Sequence, residues 1–192
     1  YIQVRDTQDA LRDLATFYRR MFPIPVVAVT GSVGKTTTKD MVAAVLGEKF
    51  RVLKTDGNFN NNIGLPLTVL RLNRSHQVAV LEMGMNHFGE IDYLTRIARP
   101  DVAIITNIGD AHIENMGSRE NTLKAKCEIF NGMTSLGKAV LNGDDPLLRT
   151  LNGKLKQEIT WCGGGENCPW RITDLQEHWQ DHMECVLHTP TT

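Results

Sequence analysis

The residues with the plainest chemical meaning form one run, Val29-Thr30-Gly31-Ser32-Val33-Gly34-Lys35-Thr36-Thr37. Two glycines let a backbone wrap closely around an anion with no Cβ in the way. The amides of such a turn, and the N-terminus of a helix behind it, then face a phosphate. Lys35 would reach the β- and γ-phosphates of a nucleotide, and the Thr36 hydroxyl would ligate magnesium. Gly31, Ser32, Val33, Gly34, Lys35, Thr36 and Thr37 are therefore the candidate nucleotide contacts. The spacing is the short Gly-x-x-Gly-Lys-Thr form, because Val29 stands where the longer pattern has its first glycine. Nothing in the run separates adenine from guanine.

Three further groups are polar where an apolar run ends. Glu82 is followed by Met83-Gly84. It could hold magnesium directly or through water, as hard oxygen ligands do, or be a solvated loop carboxylate. His112 follows Thr106-Asn107-Ile108-Gly109-Asp110-Ala111. It could be a metal ligand, a hydrogen-bond donor or a satisfied structural histidine. Asn58-Phe59-Asn60-Asn61-Asn62-Ile63-Gly64 packs four asparagines into one loop. Asparagine serves turns, and its carboxamide also pairs with polar ligands. His178 and His182, four apart, would share a helical face and could hold zinc. Glu177 lies on the wrong side of His178 for the metalloprotease motif, so this stretch reads as polar surface.

The elements that must position these groups follow from periodicity. Thr7 to Phe22 reads as an amphipathic helix ended by Pro23 and Pro25. Val26–Thr30 is a continuous apolar run, suited to a strand buried on both faces. A helix is expected over Lys35–Leu46. Strands are expected at Arg51–Thr55, Val78–Met83, Asp101–Asn107 and Lys138–Asn142, and helices at Pro66–Leu72, Glu90–Ala98, Thr122–Met133 and Pro146–Leu151. This alternation implies an α/β fold, a mostly parallel sheet flanked by helices. Ligands then bind beyond the carboxyl ends of the strands, where the polar loops lie. After Gly163-Gly164-Gly165 the pattern changes. Trp170–Thr173 and Met183–His188 read as strands with weak helical signals between them, an antiparallel C-terminal extension at the sheet edge.

Composition sets the outer limits. With 192 residues, 41% hydrophobic and 22% charged, the chain can bury a real core. Its formal net charge of -1 lacks the basic footprint of a general nucleic-acid binder. No apolar run is long enough for a membrane span, and the N-terminus has no signal-peptide core. Cys127, Cys162, Cys168 and Cys185 show no two-residue gap of a zinc or redox motif, so they are expected as thiols of a cytoplasmic protein. Trp161, Trp170 and Trp179 read as packing residues. The chain lacks an initiator Met, and a piece of a longer protein is expected.

Taken together the loops resemble the central, ATP-binding domain of the Mur ligases, the amide-forming enzymes of bacterial cell-wall precursor synthesis. The matching pieces are 30–36, 57–66, 81–87 (Leu-Glu-Met-Gly-Met-Asn-His) and 106–112, with Gly117-Ser118-Arg119-Glu120-Asn121 leading into Lys124-Ala125-Lys126. The resemblance is good over about residues 25 to 145. It implies that residues 1–25 are a linker helix from a preceding domain and 26–192 the central domain, truncated at its C-terminal end. Within the family, the 81–87 and 117–126 stretches resemble the last-acting ligase most. That enzyme adds D-alanyl-D-alanine to UDP-N-acetylmuramoyl-tripeptide through an acyl phosphate, with ATP and Mg2+ as cofactors.

The resemblance further implies catalytic roles for Lys35, Glu82, His112 and Lys126. It implies nucleotide contact by Asn62, and substrate contact by Asn58, Asn61, Asn86 and His87. Thr36 and Glu82 would hold one magnesium; His112 and a carbamylated lysine would hold another. Lys124 and Lys126 compete for that role, and counting from Gly117 favours Lys126. A surface lysine paired with Glu128 or Glu120 is the alternative. A monomer is expected. Rival readings are an earlier Mur step, a folylpolyglutamate-synthase-like or cyanophycin-synthetase-like ligase, and a GTPase-like switch, for which no Asn-Lys-x-Asp motif is present.

Overall fold

The computed structural model describes residues 1–110, 113–178 and 182–190. Their strands are β1 (Val26–Thr30), β2 (Val52–Lys54), β3 (Val78–Glu82), β4 (Val102–Ile105), β5 (Lys138–Asn142), β6 (Glu158–Gly163), β7 (Trp170–His178) and β8 (His182–His188). They form one sheet of order β2-β3-β1-β4-β5-β6-β7-β8. Every pairing is parallel except β7 with β8. This is the mostly parallel α/β sheet with an antiparallel extension that the alternation implies. Strand order reverses around β1: β3 lies on one side of it and β4 on the other. That is the switch point where a crevice opens at the strand ends.

The helices are α1 (Thr7–Arg19), α2 (Lys35–Gly47), α3 (Gly64–Val69), α4 (Glu90–Ala98), α5 (Ile113–Met116), α6 (Arg119–Cys127) and α7 (Pro146–Arg149). Side chains alternate across β1, as strand geometry requires. Val26 and Ala28 join the large core with Leu81, Ile105, Leu141, and the apolar faces of α3, α4 and α6. Val29 faces the other way, into a smaller cluster with Val80 and Ala43 of α2. Helix α1 is bound into the large core. Its Ala15 is fully buried, and the buried Arg19 guanidinium donates to the carbonyls of Ala98 (3.0 Å), Ile24 (2.9 Å) and Phe22. Among the described residues no helix is long and apolar enough to cross a membrane.

Several expected elements differ. The helix expected over Thr122–Met133 begins earlier, because the Ser118 hydroxyl accepts from the Asn121 amide and caps α6. It ends at Cys127 and tightens into a 3-10 turn, Glu128–Gly132. Gly132 there lies against α4, where a Cβ would come within 2.2 Å of the Thr95 carbonyl oxygen. Strand β6 is an addition to the sequence reading. It pairs with all five residues of β5 and carries the sheet outward to the extension. Strands β7 and β8 are longer than expected and replace the helical signal, so His178 and His182 face each other across the ladder. Trp161 is buried, with the Arg149 guanidinium 4.5 Å from its ring centroid, whereas Trp170 is exposed. Trp179 lies outside the described residues. All four cysteines are free thiols.

Candidate functional site

The polar loops meet at the carboxyl ends of β1, β2, β3 and β4. The turn after β1 is built on two glycines. Gly31 has φ 152°, and a Cβ on it would sit 1.8 Å from the Thr106 hydroxyl. Gly34 caps α2 with φ 81°, in the left-handed region that glycine adopts freely. The turn is held from the neighbouring strand. Asn107 accepts from the Val33 amide with its side-chain oxygen and donates to the Val33 carbonyl with its nitrogen, both at 3.0 Å. Its carbonyl accepts from the Ser32 amide (3.1 Å), and the Ser32 hydroxyl accepts from Gly109 (2.8 Å). The amides of Ser32 and Val33 are thus engaged inside the protein. Those of Lys35, Thr36 and Thr37 open the first turn of α2, where amides have no intrahelical acceptor. Thr36 and Thr37 are exposed at that end. The Lys35 ammonium donates to the Gly31 carbonyl (3.0 Å) and lies 3.5 Å from that of Ser32.

Glu82, the last residue of β3, is 1% exposed. Its amide donates to the Thr55 hydroxyl (3.0 Å), and one carboxylate oxygen accepts from the Asn60 carboxamide nitrogen (2.8 Å). The other oxygen, Oε2, is buried with no partner. A buried carboxylate oxygen without a donor is costly. A hard cation satisfies it, since such ions take carboxylate oxygens. Glu82 therefore fits a magnesium ion, and the exposed Thr36 hydroxyl would be the second ligand this chain offers.

Lys126 is 2% exposed, while Lys124 faces solvent. Burial, and then the positive charge of Lys35, lower the Lys126 amine to about 8 from its ordinary 10.5. The surface pairing considered for it does not occur. Glu128 instead accepts from the amides of Gly89 and Asp92 at the start of α4. His112 lies outside the described residues.

The asparagine loop divides its labour. Asn60 reaches Glu82. Asn61 accepts from the amides of Ile63 (3.1 Å) and Gly64 (2.8 Å) and so starts α3. Asn58 and Asn62 are exposed. Asn60, Asn61, Asn62, Lys35, Gly84, Met85, Asn86 and Glu90 line a cleft of about 320 Å3. The amides of Asn86 and of His87 beside it both donate to Glu90. Wider cavities lie between α1 and α4 and over the outer strands; the second is lined by Thr38 of α2 and by Thr106, beside the phosphate turn.

Sequence reading missed three supports: Asn60, Asn107 and Asp145. Asp145 accepts from the Ile108 amide (2.6 Å) with one oxygen and caps α7 with the other. Only Asp145 had a readable signal, an acidic residue directly before Pro146 at a helix start.

Residues 29–190 match the family described as Mur ligase middle domain. The chain is 50% identical over 176 residues to the UDP-N-acetylmuramoyl-tripeptide--D-alanyl-D-alanine ligase of Bacillus subtilis, covering 92% of this chain and 38% of that protein. Its structure is similar to that of MurF from Acinetobacter baumannii, with TM-score 0.92 and 38% identity over 98% of this chain and 42% of that one. It is similar too to the MurF ligase of Thermotoga maritima in complex with ADP, with TM-score 0.87 and 34% identity over 98% of this chain and 46% of that one. The chain spans about two fifths of the length of these relatives.

Proposed function

The chain belongs to the Mur ligase family, and we propose that it is the ATP-binding part of a ligase that adds D-alanyl-D-alanine to UDP-N-acetylmuramoyl-tripeptide. One observation carries the reading: Lys35, at the exit of a glycine turn, lines one cleft with Asn60, and Asn60 holds a buried carboxylate, Glu82, that keeps one oxygen unpartnered. The identity to the Bacillus subtilis enzyme and the ADP complex of the Thermotoga maritima structure support the substrates and the nucleotide.

Such a reaction begins by bringing two anions together, the tripeptide carboxylate and the γ-phosphate. At 4 Å and an effective dielectric near 20, a unit-charge pair repels by roughly 4 kcal/mol. Lys35 opposes that repulsion by exchanging the loop carbonyls for phosphate oxygens. The amides of Lys35, Thr36 and Thr37 receive the phosphate chain at the N-terminus of α2. Asn62 contacts the nucleotide from the facing loop. Thr36 and Glu82 would hold magnesium, which would supply positive charge against the phosphates. The carboxylate oxygen attacks the γ-phosphorus, the bond to the bridging oxygen breaks, and ADP leaves. The amine of D-alanyl-D-alanine then attacks the acyl carbon, phosphate departs, and the amine releases a proton. Asn61 and Asn86 orient the acceptor in the cleft beside Lys35, with Asn58 and His87 near them in sequence on the same two loops. No side-chain nucleophile is needed; alignment and charge do the work.

Lys126 acts as a carbamate. Its neutral amine adds to carbon dioxide and loses a proton, leaving an anion that, with His112, would hold a second magnesium. Burial favours the neutral amine this step requires. The protein works as a monomer in the cytoplasm.

The test is phosphate release from ATP. Release that requires both UDP-N-acetylmuramoyl-tripeptide and D-alanyl-D-alanine is the expected result. Release with a single amino acid in place of the dipeptide moves the protein to an earlier step. No release with any muramoyl acceptor overturns the reading.

A further inference from the structure

We propose that Asn60 is a positioning residue for the cation site: its carboxamide fixes one oxygen of Glu82 so that the other points, bare, at the metal. The proposal rests on the magnesium reading above, but concerns a residue that touches neither metal nor nucleotide.

Four observations converge on Asn60. Its side-chain nitrogen donates to Glu82 Oε1 at 2.8 Å, and Oε1 has no other donor among the described residues. The partner oxygen Oε2 is buried and unpaired. Asn60 itself cannot drift, because its carbonyl accepts from Gly84 (2.8 Å) and its amide donates to Asn58 (2.7 Å). Gly84 makes the approach possible, since a Cβ there would lie 3.0 Å from the Asn60 carboxamide carbon and oxygen.

The other end of Glu82 is fixed separately. The Thr55 hydroxyl holds its amide, and the buried Lys39 ammonium donates to the Thr55 carbonyl at 2.9 Å. Backbone and one carboxylate oxygen are thereby fixed, leaving a single oxygen for an ion. A carboxylate is acceptor-only when ionised, so a donor on one oxygen sets its rotation without competing for the cation. Groups that orient metal ligands in this way contribute strongly to metal affinity. Asn60 differs from its neighbours here: Asn61 spends its oxygen on α3, and Asn58 and Asn62 are exposed.

The probe is Mn2+ in the presence of ADP, with free Mn2+ followed by its electron paramagnetic resonance signal. Glu82→Gln is expected to weaken Mn2+ binding, and Asn60→Ala to weaken it about 10-fold. The double variant is expected to bind no worse than Glu82→Gln alone, because Asn60 acts only through that carboxylate. ADP affinity without metal should stay unchanged in Asn60→Ala. If Glu82→Gln binds Mn2+ normally, the magnesium reading itself fails. If Glu82→Gln weakens binding and Asn60→Ala does not, the positioning role is overturned. A further 10-fold loss in the Glu82→Gln background also overturns it, showing a merely structural effect. Should Asn60→Ala fail to fold, Gly84→Ala displaces the same carboxamide. It is expected to give the same loss in Mn2+ binding, and unaltered binding there overturns the proposal.

Discussion

The switch-point end of the sheet and the β7–β8 extension are opposite in construction. At the switch point the loops are polar, yet few of their groups are left to chance. Ser32, Val33, Thr106, Asn107 and Gly109 exchange hydrogen bonds across two loops, and Asp145 ties the second loop to α7. The extension has apolar side chains at many positions but buries few: Leu175, Met183 and Leu187 are 63%, 66% and 58% exposed. Backbone pairing holds it, with a register shift between Thr173 and Gln176. Polarity therefore does not mark the loose part of this molecule. What matters is whether each polar group has a partner fixed by the fold.

The sharpest way to break that comparison is at the lysine the phosphate turn presents. Lys35→Ala is expected to abolish ATP binding while the domain stays folded; titration calorimetry of ATP-Mg into both forms checks it, and unchanged affinity removes Lys35 from the site. Gly31→Ala should cost about 3 kcal/mol, because the new methyl group overlaps the Thr106 hydroxyl. A urea melt reads that loss, and a midpoint like the parent's would show the two loops to be less tightly joined. Lys126→Met tests a site group that opposes stability. The folded Lys126 amine titrates near 8, below its value in the unfolded chain, so the unfolded state binds more protons between about 8 and 10.5. The parent's stability therefore gains from this residue as pH rises through that window. The melting temperature of Lys126→Met should exceed the parent's most below pH 8, with the gap closing towards pH 10. In the whole enzyme Lys126→Ala, which leaves room for an added anion, should lose activity that a short-chain carboxylate partly restores. The smallest effect belongs to the extension: Leu175→Lys should shift stability by no more than about 0.5 kcal/mol and leave nucleotide binding alone.

Much of the fold is legible in the residues. Continuous apolar runs such as Val26–Thr30 and Val78–Glu82 are strands with both faces covered, and the helical spacing between them is clear. The strand β6 is not legible in that way. Its side chains are mostly half-buried rather than strictly alternating, so no period announces it. The stretch from Glu177 to His182 has helical spacing, but the pairing of β7 with β8 overrides local preference. In the site, Gly31, Gly34, Lys35 and Glu82 are readable from spacing and from the ends of apolar runs. Asn60 is not, because four asparagines in one loop look alike until the chain is folded. Lys124 and Lys126 are likewise equivalent in composition. Two residues apart on a helix, they face different directions, and only the packing of α6 decides which is buried.

The amino-acid sequence by itself determined the strand–turn–helix around Lys35, the alternation that makes a parallel sheet, and the identity of the polar groups at the strand ends. These depend on local sterics and on periodicity, which neighbours in sequence carry. The tertiary structure decided which of those groups have partners. Asn107 clamps Val33 across 74 positions, Asn60 takes one oxygen of Glu82 across 22, and Lys126 is desolvated beside Lys35. Such pairings depend on where the strands lie in the sheet, so no local stretch contains them, and they set which amide, oxygen or amine remains available for chemistry.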